Sequence, residues 1–181
     1  MDLKHEKLSS ALYLAQAAMI AAIYIVLTYF VNAIGLANGA IQVRLSEALC
    51  ILPVFTPAAI PGLFVGCLLS NTLTGCVIWD IVFGSLATLI GAIGTRLLRK
   101  TKFVYTLPPV IANMVIVPLV LRFAYGVGDA IWFLVITVGV GEVISVCVLG
   151  SMLKKLLSHH VGELFETGFW GESVPAKEKK L

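Results

Sequence analysis

The sequence predicts an all-α, polytopic membrane protein: a bundle of six transmembrane helices with both termini in the cytoplasm. Hydrophobic residues make up 59% of the 181 residues, and the mean hydropathy of +0.99 is typical of membrane proteins. Charged residues amount to only 13% and collect at the termini and in one internal basic cluster, Arg96–Lys102. We expect a single membrane domain over residues 1–158 and a C-terminal tail over 159–181.

Four segments are long enough to cross the bilayer as helices. Each has about 19 to 24 mostly apolar residues, and at about 1.5 Å per residue such helices approach or exceed a hydrocarbon core of about 30 Å. The first is too long for a signal peptide, so we expect it to be retained. The four segments are Leu8–Val31, Cys76–Leu98, Phe103–Leu121 and Ala130–Leu153.

The remaining apolar segment, Leu45–Leu69, contains three prolines. The basic termini and the internal basic cluster belong in the cytoplasm, which requires an even number of crossings between the first and second long segments. One span here would place the cluster outside. We therefore predict two short helices as spans 2 and 3, Leu45–Phe55 and Ala58–Ser70, broken at Thr56-Pro57.

Three acidic residues lie inside the apolar segments, where lipid accepts them poorly. An ionised side chain at the centre of a membrane helix costs roughly 2.5–3.5 kcal/mol, so three would cost about 8–10 kcal/mol. That cost is tolerable if they share a polar pocket, and we predict a small-molecule site there, under the turn-rich external connection Asn32–Arg44. The acids are Glu47, Asp80 and Glu142, and Arg44, Asn71 and Asn113 complete the candidate substrate-binding set.

Most of these residues also have a structural explanation that the sequence leaves open. Arg44 and Glu47, three residues apart, could neutralise each other as a local ion pair. Asp80 lies near the start of its helix, where the helix dipole favours an acid. Glu142 and Asn113 reach a similar depth from opposite directions and could bond to each other.

Aromatic residues near the external mouth suit a planar heterocycle, because rings stack on aromatic side chains. A carboxylate could accept two N–H bonds from a guanine-like edge of the same ligand. The alternative for these aromatics is a belt at the membrane interface. They are Trp79, Phe123, Tyr125 and Trp132.

Other chemistries have little support in the sequence. The four cysteines show no metal-ligand spacing, and His5, His159 and His160 are terminal, so we expect no metal, no cofactor and no catalytic centre. Basic residues flank apolar segments and form no face for nucleic acid. The phosphate-binding pattern GxxxxGK[ST] does not occur, so ATP hydrolysis would require another chain.

A stripe of small residues runs along the first span. Ala18 and Ala22, like Ala17 and Ala21, lie four residues apart, and this spacing lets another helix approach closely. That helix belongs either to this chain or to a partner subunit.

Five segments, in this order, resemble the QueT family of substrate-binding S components of energy-coupling factor (ECF) transporters. The first reads IQVRLSEALCILPVF and the last VGVGEVISVCVLG. The segments are Ile41–Phe55, Ala59–Asn71, Trp79–Ala92, Leu107–Asn113 and Val138–Gly150.

The resemblance implies a six-helix protein of the cell membrane that binds a queuosine precursor from outside. This substrate would be a 7-deazaguanine base, such as queuine or its aminomethyl or cyano precursor. The resemblance also implies a transmembrane coupling subunit and two ATP-hydrolysing subunits, with Ala18 and Ala22 matching the motif that docks on the coupling subunit.

We therefore expect a non-enzymatic binding subunit of an ATP-driven importer. One alternative is an S component for another vitamin-like heterocycle. A second is a solitary ion-coupled carrier, since buried acids can relay protons. A third is an intramembrane enzyme that uses paired carboxylates.

Overall fold

The computed structural model describes residues 2–35 and 44–166, with side chains described for 10–35 and 44–158. Over these ranges the chain is helical, without strands. Three elements are not α-helical: a long 3₁₀ helix (Leu45–Val54), a short 3₁₀ turn (Val104–Thr106) and a π-helical segment (Val143–Gly150). The α-helices are α1 (Asp2–Ala33), α2 (Ala59–Leu73), α3 (Ile78–Leu97), α4 (Leu107–Phe123), α5 (Ile131–Glu142) and α6 (Ser151–Glu166).

Four helical stretches are long and apolar enough to cross a membrane, and two shorter apolar helices accompany them. These confirm the four long segments and the short pair to within a few residues. Six crossings and cytoplasmic termini stay predictions. The long stretches are Ser10–Ala33, Ile78–Leu97, Val104–Phe123 and Ile131–Ser158, and the short helices are Leu45–Val54 and Ala59–Leu73.

The chain breaks between the two short helices where the sequence places a proline after a threonine. Thr56 Oγ1 accepts a hydrogen bond from the Ala58 backbone N–H at 3.2 Å and donates one to Gln16 Oε1 at 3.1 Å. The threonine hydroxyl therefore closes the turn and ties it to α1.

The long 3₁₀ helix lies in the middle of the bundle. It packs against α1, α2, α3, α6 and the π-helical segment. At about 2.0 Å per residue, its ten residues reach about 20 Å. Burial on most sides keeps Glu47 away from lipid. Its buried residues are Ser46, Glu47, Ala48, Leu49, Cys50, Ile51 and Pro53.

Helices α1 and α2 pack with their backbones in contact at two glycines of α2. A Cβ atom on Gly62 would lie 2.7 Å from the Ala17 carbonyl oxygen, and one on Gly66 would lie 2.8 Å from Tyr24 Cβ. This close approach holds the buried Tyr24 side chain in place.

The alanine stripe of α1 divides between two faces. Ala17 and Ala21 are buried on the side of α1 that meets α2. Ala18 and Ala22 are exposed on the outer surface of the bundle. Internal packing therefore accounts for the first pair and leaves the second pair accessible to another helix.

Alanine in place of Gly66 is expected to destabilise the protein. The added methyl group would meet Tyr24 and the Ala21 backbone; overpacking costs about 1–3 kcal/mol, against a gain of about 1 kcal/mol in helix propensity. Gly139→Ala is the matched control, because there the methyl meets only the flexible end of Met114. Thermal unfolding in detergent should show a lower midpoint for Gly66→Ala only; equal midpoints would contradict this packing.

Two sequence predictions involve residues beyond the described parts. Residues 36–43 of the external connection predicted to fold over the pocket lie outside them. Helix α6 continues to Glu166, so the first part of the predicted 159–181 tail is helical, and residues 167–181 lie outside the described ranges.

Candidate functional site

The six predicted binding residues come from five helical elements and collect inside the bundle. Five of them are 6% exposed or less, and Arg44 is half-buried. Arg44 and Glu47 lie at the start of the long 3₁₀ helix, Asn71 on α2, Asp80 on α3, Asn113 on α4 and Glu142 at the end of α5.

Both carboxylate oxygens of Glu47 accept hydrogen bonds. Tyr24 O–H donates to Oε1 at 2.5 Å, and the Cys50 thiol donates to Oε2 at 3.0 Å. Bonds to a charged acceptor are stronger than neutral ones. The Glu47 carboxylate is therefore held by hydrogen bonds from α1 and from its own helix.

Sequence reasoning missed two members of this site. Tyr24 belongs to the buried stripe of α1 and is 2% exposed. The signal was a tyrosine deep inside an apolar span, since a buried phenol O–H usually finds a partner. Cys50, one of the four cysteines without metal-ligand spacing, is fully buried and donates to Glu47.

Arg44 supplies the positive charge of the site. Its backbone N–H donates to Ser145 Oγ in the π-helical segment at 3.2 Å. Its guanidinium lies within electrostatic range of Asp80, Glu47 and Glu142. One cation facing three carboxyl groups leaves a surplus of negative charge that favours a cationic or N–H-rich ligand.

Asp80 connects the start of α3 to the loop after α4. Tyr125 O–H donates to Asp80 Oδ2 at 2.9 Å, and partial burial together with Asp80 raises the pKa of Tyr125, which keeps this hydroxyl protonated. Asn71 Nδ2 donates to the Asp80 carbonyl oxygen at 3.4 Å. A Cβ atom on Gly84 would lie 3.1 Å from Asp80 Oδ1 and 3.2 Å from Asn71 Nδ2, so the two side chains converge over this glycine.

Of the four aromatic residues predicted near the mouth, one contacts the candidate site and three lie on the outer surface of the bundle. Tyr125 bonds to Asp80. Trp79, Phe123 and Trp132 are 58%, 77% and 67% exposed, which fits the membrane-interface alternative better than stacking on a ligand.

Glu142 and Asn113 differ from the other site residues because each keeps a buried atom without a hydrogen-bond partner. Among the described side chains these atoms are Glu142 Oε2 and Asn113 Nδ2. The Asn113 amide lies close enough to influence the Glu142 carboxyl, yet its nitrogen completes no hydrogen bond. The two side chains therefore approach each other, as the structural alternative expects, but Asn113 Nδ2 and Glu142 Oε2 have no well-formed hydrogen bond.

The Glu142–Asn113 pair interacts electrostatically with the residues around Glu47. Glu142 interacts with both Glu47 and Arg44, and the Cys50 thiol interacts with both acids. No cluster of three His, Cys, Asp or Glu side chains in the described residues is arranged to hold a metal ion.

An apolar groove of about 400 Å³ lies between α4 and α5, apart from the candidate site. It contains none of the six candidate residues, and its lining suits contact with lipid. It is lined by Ile111, Met114, Val115, Pro118, Leu119, Ile131 and Val135.

Comparison with known proteins agrees with the resemblance found in the sequence. No curated protein and no solved structure matches the chain. The family model described as "QueT transporter" matches residues 14–159, a range that includes the six candidate residues and the exposed alanines of α1. This match covers most of the chain and confirms the predicted family, and with its several apolar helices the chain is a multi-pass membrane protein that belongs to the QueT transporter family.

Proposed function

We propose that this chain is the substrate-binding S component of an ATP-driven ECF importer in the cell membrane. Its substrate is a queuosine precursor, a 7-deazaguanine base. Membership of a transporter family supports a small-molecule substrate. The observation that carries the proposal is the collection of Glu47, Asp80 and Glu142 around Arg44 inside an apolar bundle.

A 7-deazaguanine base has the chemistry that this site favours. It is planar, carries several N–H donors and has one carbonyl oxygen, whereas the site offers carboxylate acceptors and amide donors. An aminomethyl precursor adds a protonated amine, which would compensate the surplus negative charge around Arg44. A cyano precursor adds no charge. The aminomethyl form should therefore bind more tightly than the cyano form.

The proposed topology has six crossings with both termini in the cytoplasm. The long 3₁₀ helix and α2 are then spans 2 and 3. Their lengths of about 20 Å and 22 Å fall short of a core of about 30 Å, so the bilayer thins or neighbouring helices cover their ends. In this orientation the Asp80–Tyr125 contact lies at the external side, where substrate enters.

The proposed partners are a transmembrane coupling subunit and two ATPase subunits. The exposed Ala18 and Ala22 present a small-residue surface on which a helix of the coupling subunit can dock. ATP hydrolysis by the partners then drives the reorientation that releases substrate inside.

Uptake into reconstituted liposomes tests this function. With labelled 7-aminomethyl-7-deazaguanine, we expect accumulation only when the coupling subunit, both ATPase subunits and ATP are present. Accumulation by this chain alone, driven by a proton gradient, would establish the ion-coupled carrier instead. Chemical conversion of the base would establish an enzyme.

A further inference from the structure

Two polar atoms in the middle of the bundle have no hydrogen-bond partner among the described residues: Asn113 Nδ2 and Glu142 Oε2. Their side chains are 2% and 5% exposed, so bulk water reaches them poorly. Buried polar groups are nearly always hydrogen-bonded, and an exception in a native structure calls for an explanation such as a ligand. One atom is an amide donor, and the other is a carboxyl oxygen whose lone pairs can accept a hydrogen bond.

The two side chains lie at the same depth on facing helices. At about 1.5 Å per residue, Asn113 lies about 15 Å from the Phe123 end of its span. Glu142 lies about 17 Å from the Ile131 end of the following, antiparallel span, which is on the same side of the bundle. Helices α4 and α5 pack against each other, and the Asn113 amide influences the Glu142 carboxyl. The unpartnered donor and acceptor are therefore neighbours near the membrane centre.

We propose that Asn113 and Glu142 form a lactam-recognition pair. Asn113 Nδ2 donates to the carbonyl oxygen of a cyclic amide, and Glu142 Oε2 accepts the N–H beside that carbonyl. A donor next to an acceptor on the protein requires an acceptor next to a donor on the ligand, and a lactam offers both in one plane. This assignment rests on the proposed function, because the pyrimidinone ring of a 7-deazaguanine base has such an edge.

The packing around the pair allows the two helices to separate. Met114, next to Asn113, rests against Gly139, one turn before Glu142: a Cβ atom on this glycine would lie 2.9 Å from Met114 Cε. A flexible thioether on a glycine adapts more easily than interlocked branched side chains. The π-helical segment begins directly after Glu142, and short π-helical stretches often occur at functional sites.

The pair should discriminate strongly between ligands that differ at this edge. A 2,6-diamino analogue replaces the carbonyl with an amino donor and the ring N–H with an acceptor. It would set donor against donor at Asn113 and acceptor against acceptor at Glu142. We expect it to bind the wild-type chain about a hundredfold or more weakly than the lactam base, because buried polar groups of the site stay unpaired.

Equilibrium titration of the purified full-length chain with 7-aminomethyl-7-deazaguanine and its 2,6-diamino analogue tests this pair. Asn113→Leu and Glu142→Gln should each weaken binding of the lactam base about ten- to hundredfold. Glu142→Gln should also reduce the difference in affinity between the two ligands, because the glutamine amide can donate a hydrogen bond to the ring nitrogen of the 2,6-diamino analogue. Thr137→Val in α5 is the control, since its hydroxyl bonds only to the Leu134 carbonyl of its own helix, and it should bind like wild type.

Thermal unfolding without ligand separates a recognition role from a structural one. Asn113→Leu removes an unpartnered buried donor, so its midpoint should equal or exceed that of wild type. Wild-type affinity for the lactam base in both variants would contradict the recognition role of Asn113 and Glu142 without contradicting the proposed function. The wild-type chain could instead bind no 7-deazaguanine but bind another lactam heterocycle, with weaker binding in both variants. That result would support the lactam-recognition pair and contradict the proposed substrate.

Discussion

Leucine at both Ala18 and Ala22 is expected to stop ATP-driven uptake while the isolated chain still binds substrate. Both alanines are exposed on α1, so larger side chains fit without disturbing the bundle. A close helix–helix contact depends on small residues, and two leucines would hold the coupling subunit away. A loss of only about 1.4 kcal/mol in docking energy already weakens the complex tenfold.

The measurement compares liposome uptake, pull-down of the coupling subunit and substrate titration for the same preparation. Val115→Phe with Leu119→Phe is the control, because these residues are 59% and 44% exposed on a different helix, α4. We expect this control to transport normally. Uptake and pull-down at wild-type levels in the double-leucine variant would show that the partner docks elsewhere.

Phenylalanine at Tyr24 should destabilise the fold and weaken substrate binding together. The variant loses the 2.5 Å bond to Glu47 Oε1 and leaves a buried carboxylate oxygen without this donor. A hydrogen bond to a charged group contributes about 1.5–3 kcal/mol, so the unfolding midpoint should fall. Because Glu47 is then free to turn, substrate affinity should fall about tenfold or more.

Tyr29→Phe provides a matched control on the same helix. The Tyr29 side chain is 47% exposed, and its hydroxyl donates to the Leu73 carbonyl oxygen at 3.2 Å. We expect this variant to unfold and bind almost as wild type does. Equal effects of the two substitutions would mean that the bond from Tyr24 to Glu47 has no special role.

Local physical rules made much of the helical arrangement predictable. Four apolar stretches of spanning length required helices, because lipid leaves no other partner for the backbone. The break between the short helices followed from Pro57 and from the position of the internal basic cluster. The six polar residues could be selected because charges and amides in apolar segments require partners.

The remaining features depend on contacts that the sequence does not reveal. A 3₁₀ helix of ten residues is rare, and here it is stabilised by burial on most sides. The bond from Tyr24 to Glu47 joins residues 23 apart, and no local pattern predicts such a pairing. The same holds for the orientation of Trp79 and Trp132 towards the exterior, because aromatic residues at helix ends suit either a ligand or the membrane interface.

The proposed function requires that carboxyl groups from separate helices form one substrate site. Substrate titration of variants in which amides replace these carboxyl groups is the most direct test of this requirement. The measurement is a titration of 7-aminomethyl-7-deazaguanine into the purified wild-type chain and into Glu47→Gln, Asp80→Asn and Glu142→Gln. We predict one saturable site per wild-type chain and weaker binding in all three variants. No saturable binding by the wild-type chain, or wild-type affinity in all three variants, would contradict the account.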